Sequence, residues 1–507
     1  MERILNVAVQ ARSDIDNTKG VSLVRRLLLI LMVIGAAVSL PAAAQERLLL
    51  TLDEAIARGQ GQGPDARLAR LDRDIAEWDY RAARASLLPA LSLNGNAPGY
   101  LRSLTSLDLD DGSLRYILQE RTFSSMSMAV RQPIPLTGGN LSISSGLSRI
   151  TQTGGFGSSQ WQAAPLLLFL DQPLFQYNPL KWQRRLDPLR FAVAERAFTE
   201  DMATIAWDVA NRYFDVFEAQ QNIAIATFNV AVNDTIYVLS RGRFDIGRIA
   251  ENDLLQSELQ LINARTALDN AEITYQRALE ALKIALRVEG DVEIDLVPPQ
   301  ELPEIGITPD AAVEQARQRQ PAVLQTVLQE MEAARALEEA RRNAFSIDMS
   351  ASYGLNQSSP DLSRVYVDPL DRQQFNLSFQ VPIFQWGQSR ARIRSAAAAQ
   401  QRAVEEGMRQ REEIDQAVYF ETLQLQLLRR QVDVAAQADT IATRRFEVAR
   451  NRYLVGNIDI TELFNAQNEK DGANRSYIQT LRNFWSSFYN VQRLTLFDLT
   501  RREPLAP

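Results

Sequence analysis

Cys and His are both absent from this chain. That excludes thiol nucleophiles, His-based triads, disulfide frameworks and nearly every zinc or haem site. Carboxylates, hydroxyls, amides and cations are the groups left for chemistry. Two stretches invite a chemical reading. Gly59-Gln60-Gly61-Gln62-Gly63-Pro64 has the glycine density of a phosphate-cradling loop. No strand signal precedes it, however, and its internal counterpart Arg319-Gln320-Pro321 has no glycine, so a helix interruption is preferred. Asp108, Asp110, Asp111 and Gly112 gather oxygen ligands, but their spacing fails the calcium-loop pattern and reads as a solvated loop. No convergent Asp/Glu motif marks a carboxylate hydrolase. The expectation is a protein that is not an enzyme, with no cofactor and no metal.

The elements around these residues say more. The formal net charge is −7 and no basic run exceeds about a pair, so nucleic acid is not an expected partner. Arg25-Arg26, the apolar run Leu27–Leu40 and Pro41-Ala42-Ala43-Ala44-Gln45 are the three parts of a secretory signal. Residues 1–44 are assigned to it, with Val21 as an alternative start. The apolar run is too short to span a bilayer, and no later stretch reaches the roughly 18 consecutive apolar residues a spanning helix needs. A membrane role must therefore come from a barrel.

The mature chain reads twice. Leu50-Thr51-Leu52-Asp53-Glu54-Ala55-Ile56 matches Ile307-Thr308-Pro309-Asp310-Ala311-Ala312-Val313, an offset of 257 residues (307 − 50). Arg243-Phe244-Asp245-Ile246-Gly247 matches Arg452-Tyr453-Leu454-Val455-Gly456, an offset of 209 (452 − 243). Two structural repeats follow, 45–300 and 301–497, with a tail at 498–507. The first carries about 48 extra residues (257 − 209), an insertion placed at about 96–165. Each copy reads helix, strands, long helix, tight turn, long helix.

In the second copy Ile347, Met349, Ala351, Tyr353 and Leu355 alternate with polar residues, as do Phe375, Leu377, Phe379, Val381 and Ile383. Such strands carry one apolar and one polar face, as a lipid-facing barrel strand does, although a soluble sandwich would show the same alternation. The long helix from about Gln388 to Asn451 keeps Leu425, Leu428, Val432, Ala435, Ala442, Phe446, Ala449 and Tyr453 at spacings of three to four, with Asp439 interrupting. Met202, Ala206, Val209, Tyr213 and Val216 do the same in the first copy, and both read as coiled-coil packing. Strands facing lipid must close, and a handful per chain cannot enclose a water-filled lumen, so several chains must share one barrel.

The duplicated Arg-aromatic-x-x-Gly, with Leu254 and Leu463 seven residues on, resembles the hairpin tip of the TolC family of outer-membrane efflux proteins. Gln172-Pro173-Leu174-Phe175, Val381-Pro382-Ile383-Phe384 and Leu88-Pro89-Ala90-Leu91-Ser92 resemble that family's transitions between strand and helix. The resemblance covers about residues 48 to 497. It implies an α+β membrane protein in the cell outer membrane: a homotrimer whose shared β-barrel continues into the periplasm as a long α-helical coiled-coil barrel. The implied partners are outer-membrane lipid, a periplasmic adaptor (membrane fusion) protein and an inner-membrane transporter of RND, ABC or similar type. The implied function is an exit duct for efflux or secretion. A trimeric coiled-coil surface protein is the alternative, and it leaves the paired repeats with central strands unexplained.

The family pattern has two strands per repeat. Here the first repeat offers four candidates, around Leu88–Gly95, Ser124–Gln132, Leu141–Leu147 and Leu166–Asp171, with a turn at Thr137–Asn140. Either the barrel is larger or the insertion is an elaborated loop, and extra strands are preferred. By the same resemblance, Glu462 and Asn465 fall where family members line the periplasmic entrance with acidic residues, and Asp253 is the first-repeat equivalent of Glu462. Gly247 and Gly456 are expected to reverse the chain at the tips, with the next helices starting near Arg248 and Asn457. Tyr453, Arg243 and Arg452 are the gating candidates. Phe375, Leu377 and Phe379 are expected to face lipid.

Overall fold

The computed structural model describes residues 47–108, 112–153, 157–290, 292–299 and 301–505. The expected signal at Arg25–Ala44, and Asp110 and Asp111 of the acidic loop, lie outside them. Two short helix pairs begin the architecture: α1 (Leu52–Gln62) with α2 (Pro64–Ala85), and α5 (Pro309–Arg319) with α6 (Pro321–Arg342). Thr51 caps α1 in a reciprocal capping box with Glu54, and the Thr308 hydroxyl accepts from Ala311 N–H at the start of α5. Gly63 and Gln320 break each pair, and a proline opens the next helix, where its missing N–H costs nothing. The glycine-rich stretch is thus a helix interruption.

Two long hairpins follow. In the first, α3 (Pro179–Asp245) leads into α4 (Glu251–Leu286); in the second, α7 (Gln388–Leu454) leads into α8 (Ile460–Thr495). Each first arm has 67 residues, about 100 Å at ~1.5 Å per residue. Each boundary of the second hairpin lies 209 residues after its counterpart in the first (388 − 179). The boundaries of α5 and α6 lie 257 after those of α1 and α2 (309 − 52).

The apolar spacing is used as packing. Val209, Tyr213 and Val216 of α3 and Leu425, Leu428, Val432 and Phe446 of α7 are buried. Phe214 stacks on Trp485 of α8, with ring centroids 6.3 Å apart. One 18-residue window of α3 has a mean hydropathy of 1.3, enough by composition to cross a membrane, and a third of it is buried. The count of consecutive apolar residues missed this window, because scattered polar residues interrupt it.

The strands β2 (Ala90–Asp108), β3 (Leu114–Ile134), β4 (Gly139–Thr153), β5 (Ser158–Leu174), β7 (Ser346–Ser359) and β8 (Leu370–Gln380) form one antiparallel sheet in that order. All four first-copy candidates are strands, each longer than its sequence signal, so the insertion adds strands. The register sorts the faces. Leu91, Val130, Ile143, Leu168 and Tyr353 are successive lateral partners on one face. Arg131, Ser142, Phe169, Ser352 and Gln374 form a row on the other. Phe375, Leu377 and Phe379 pair with Ala351, Met349 and Ile347, which puts them on the apolar face.

Two small sheets complete the described residues. The strands β1 (Arg47–Thr51) and β6 (Glu293–Val297) pair, and Val288–Val297 with the described residues up to Leu50 forms a compact unit of its own. At the expected boundary between the second repeat and the tail, β9 (Phe497–Asp498) pairs with β10 (Glu503–Pro504).

Candidate functional site

Both hairpins turn by the same device. Gly247 and Gly456 have φ of 70° and 82°, the left-handed region open to glycine without strain. The N–H of Arg248 reaches back to Arg243 C=O at 2.8 Å, and that of Asn457 to Arg452 C=O at 2.9 Å. These bonds satisfy carbonyls that the helix end would otherwise leave open. The following helices start at Glu251 and Ile460, three residues later than expected, because a short non-helical segment follows each glycine and ends in an extended cap residue. Asp253 and Glu462 are therefore third in their helices, within the first turn.

That position favours a carboxylate, since the helix dipole and open N–H groups point at it. The two N-termini differ in their caps. Asp459 accepts from Glu462 N–H at 2.7 Å, whereas Ala250 offers α4 no side-chain cap. Glu462 also lies 3.8 Å from the Arg452 guanidinium, a loose and exposed ion pair. Asn465 is exposed on the next turn. Asp253 is half-buried and belongs to the other hairpin, and among the described residues no hydrogen bond or ion pair joins it to Glu462 or Asn465.

Two of the gating candidates, Tyr453 and Arg243, do meet. Tyr453 is 4% exposed and packs with Val232, Ile236, Phe446, Ile460, Leu463 and Phe464. Its hydroxyl lies 3.2 Å from Ser240 Oγ on α3. Arg243 donates to the carbonyls of Tyr453 and Leu454, both at 3.2 Å, with its guanidinium carbon 5.1 Å from the Tyr453 ring centre. A cation on the last carbonyls of α7 also complements the negative end of its dipole. The end of α3 is thereby latched to the end of α7. Ser240 was not singled out from sequence. Its signal is a fully buried hydroxyl at the next 3–4 step after Val232 and Ile236, where an apolar residue would otherwise stand.

Further along the same helices, Asn229 donates to the Asp471 carboxylate. Lys470 Nζ sits 4.0 Å from the Phe228 ring centre and 3.8 Å from Asp471 Oδ1. Burial pushes the Asp471 carboxyl above its ordinary range, with Asn229 and the nearby cations pulling the other way. Among the described residues, no cluster of His, Cys, Asp and Glu has the makings of a metal site.

Long paired hairpins, a sheet with one apolar face and two latched tips define the class. The sequence profile of the outer membrane efflux protein family matches residues 56–286 and 312–495, and the chain belongs to that family. Among curated relatives it is similar to the toluene efflux pump outer membrane protein TtgC of Pseudomonas putida. The two are 23% identical over 337 residues, covering 65% of this chain and 58% of that one. The antibiotic efflux pump outer membrane protein ArpC of Pseudomonas putida aligns with the same identity and coverage. The matched region is less than two thirds of these relatives' length.

Among solved structures, the fold is shared with the Campylobacter jejuni CmeC outer membrane channel. The TM-score is 0.65 at 15% identity, covering 90% of this chain and 87% of that one. The Vibrio cholerae outer membrane protein VceC gives a TM-score of 0.61 at 14% identity, covering 88% and 95%.

Proposed function

We propose that this chain is one subunit of a trimeric outer-membrane exit duct, whose sheets close one shared barrel and whose helices continue it through the periplasm. The observation that carries this reading is a matched pair of unsatisfied borders. On the sheet, β2 and β8 are edge strands, and every residue of β8 is exposed. An open edge in hydrocarbon leaves a row of backbone N–H and C=O groups unpaired, so β8 needs the β2 of another copy. On the helices, Val434, Ile441, Val448 and Val455 lie seven apart along α7 and its turn and are exposed, as are Leu255, Leu259 and Ile262 of α4. Heptad spacing is what one helix offers another, so α7 of one copy has a fitting partner in α4 of the next.

Three copies would give eighteen strands (3 × 6), a number at which barrels enclose an aqueous channel. The coincidence of helix boundaries at 209 and 257 residues supports two structural repeats in each chain, 45–300 and 301–497, after a signal at 1–44. In this reading Phe375, Leu377 and Phe379 face lipid, and Glu462, Asn465 and Asp253 narrow the periplasmic entrance when three tips meet. Cargo is received from an inner-membrane transporter, of RND, ABC or similar type, through a periplasmic adaptor. The duct has no catalytic role.

Planar-bilayer recording with the purified protein tests this. Discrete long-lived conductance steps are expected. Protein that extracts from the outer membrane as a folded oligomer yet never conducts would favour a trimeric structural protein instead.

A further inference from the structure

We propose that a cleft between α2 and α3 binds the phosphate of an anionic phospholipid from the periplasm-facing leaflet of the outer membrane. The proposal rests on the membrane reading given above. The cleft has a volume of about 510 Å³ and lies between the last two turns of α2 and the first turns of α3. Its wall carries three guanidinium groups, Arg81, Arg84 and Arg184, against one carboxylate, Asp187. Asp187 is already engaged by Arg190 at 3.3 Å, and Arg190 also holds Glu332 at 2.6 Å. Arg81 pairs with Glu77 and lies over Trp78. Arg84 lies 5.9 Å from the Tyr80 ring centre, Arg184 is exposed, and neither has a carboxylate partner among the described residues. Two positive charges are thus uncompensated beside one cavity.

The rest of the wall fixes the class of anion. Leu87, Leu88, Ala83, Ala85 and Pro188 make it largely apolar, and Tyr80 is braced by a parallel stack on Phe191 at 5.1 Å. A free inorganic anion gains nothing from such a wall, whereas the glycerol and first methylenes of a lipid do. The position agrees. Gln132 of β3 donates to Leu87 C=O at 3.0 Å, tying the cleft to the end of the sheet where β2 begins and β3 stops. That same sheet end exposes Leu88, Leu136, Phe175, Phe384 and Trp386. Aromatic residues at the end of an apolar strand face mark the headgroup level of a barrel. Arginines at that depth meet lipid phosphate, and guanidinium groups bind phosphate oxygens in bidentate fashion.

The test is native mass spectrometry of the detergent-purified oligomer, titrated separately with phosphatidylglycerol, phosphatidylethanolamine and inorganic phosphate. The variants are Arg84→Gln with Arg184→Gln, their Lys counterparts, and Arg444→Gln with Arg450→Gln as a charge-matched control near the tips. We expect phosphatidylglycerol to be retained best by the wild type, roughly tenfold more weakly by the double Gln variant, and in part by the Lys variant. The control should bind as the wild type does. Equal retention by wild type and double Gln variant would overturn the proposal, as would tight binding of inorganic phosphate alone. So would loss of the cleft to a neighbouring copy, seen as no lipid retained by the intact oligomer. Failure of the membrane reading itself would look different: the wild type would not fractionate with membranes at all.

Discussion

In the hairpins Phe446 is 2% exposed and Phe484 is fully buried, whereas on β8 Phe375 and Phe379 are 67% and 74% exposed. The same side chain is hidden in one region and displayed in the other. Around Phe446 the apolar residues recur at helical spacing and find partners on α3 and α8 of the same chain. Around Phe375 they alternate, and the sheet gives them lateral neighbours but no cover. A sheet in water would not leave a row such as Leu91, Val130, Ile143, Leu168 and Tyr353 without a second layer. In the reading proposed above, the two regions meet different solvents, water along the hairpins and hydrocarbon around the sheet.

The largest expected effect lies in the helical core. Phe446→Ala removes a buried ring from the cluster around Tyr453 and should cost about 3–5 kcal/mol. Thermal dissociation of the extracted oligomer, followed by heat-modifiable gel migration, reads this out; an unchanged transition would mean the hairpin core does not limit stability. Next comes the sheet. Leu377→Arg should cost about 2–4 kcal/mol if the residue lies near the bilayer midplane, and Leu377→Phe almost nothing. Normal oligomer yield for the Arg variant would argue against hydrocarbon at that face.

Smaller effects sharpen the picture at the tips. Tyr453→Phe keeps the packing and removes the bond to Ser240, at about 1 kcal/mol. Because that bond joins α3 to α7, its loss should raise the open probability in single-channel records, and Ser240→Ala should add little on top of it. Independent, additive effects would show that the two hydroxyls do not form one latch. Asp459→Ala should also cost about 1 kcal/mol through the lost cap of α8, while Ala250→Asp should add a cap that α4 lacks.

The smallest effect is on pH. Burial raises Asp471, so its contribution to stability is present at acid pH and is lost as pH rises through the raised value. Asp471→Asn should flatten that part of the wild-type profile in thermal melts that start below the ordinary aspartate value of about 3.9 and run upward from it. An unchanged slope would place the charge elsewhere. Glu462→Gln with Asp253→Asn should leave the oligomer assembled and reduce cation preference, as expected of a carboxylate ring screened by salt. Unchanged selectivity would locate the narrowest point away from these residues.

Much of this was legible in the residues. The duplicated Arg-aromatic-x-x-Gly located both turns, because a glycine is the cheapest way to reverse a long helix. The 3–4 spacing of Leu425 to Tyr453 marked the buried face of α7. Strand lengths were not legible. Around Asn96 and Gly99 the β2–β3 register shifts, and a second shift at Ala163–Leu166 precedes the apolar run Leu166–Leu170. Such irregularities break alternation, so β2 and β5 gave short or blurred signals. The latch was half legible: Tyr453 and Arg243 carry a motif, but Ser240 matters only because folding buries it opposite a phenol. The borders of the chain were invisible as such, since a sequence does not say which apolar stripes its own fold leaves uncovered.

The pairing of those borders is the central claim, and the absence of cysteine makes it directly testable. Asn94→Cys on β2, combined in turn with Gln374→Cys, Asn376→Cys or Ser378→Cys on β8, should disulfide-link neighbouring copies in intact outer membranes. Non-reducing gels should then show a covalent ladder that ends at three chains, strongest for one of the three pairs. Folded, membrane-embedded protein that stays monomeric with every pair would contradict the account, because each sheet would then be closing on something other than another copy of itself.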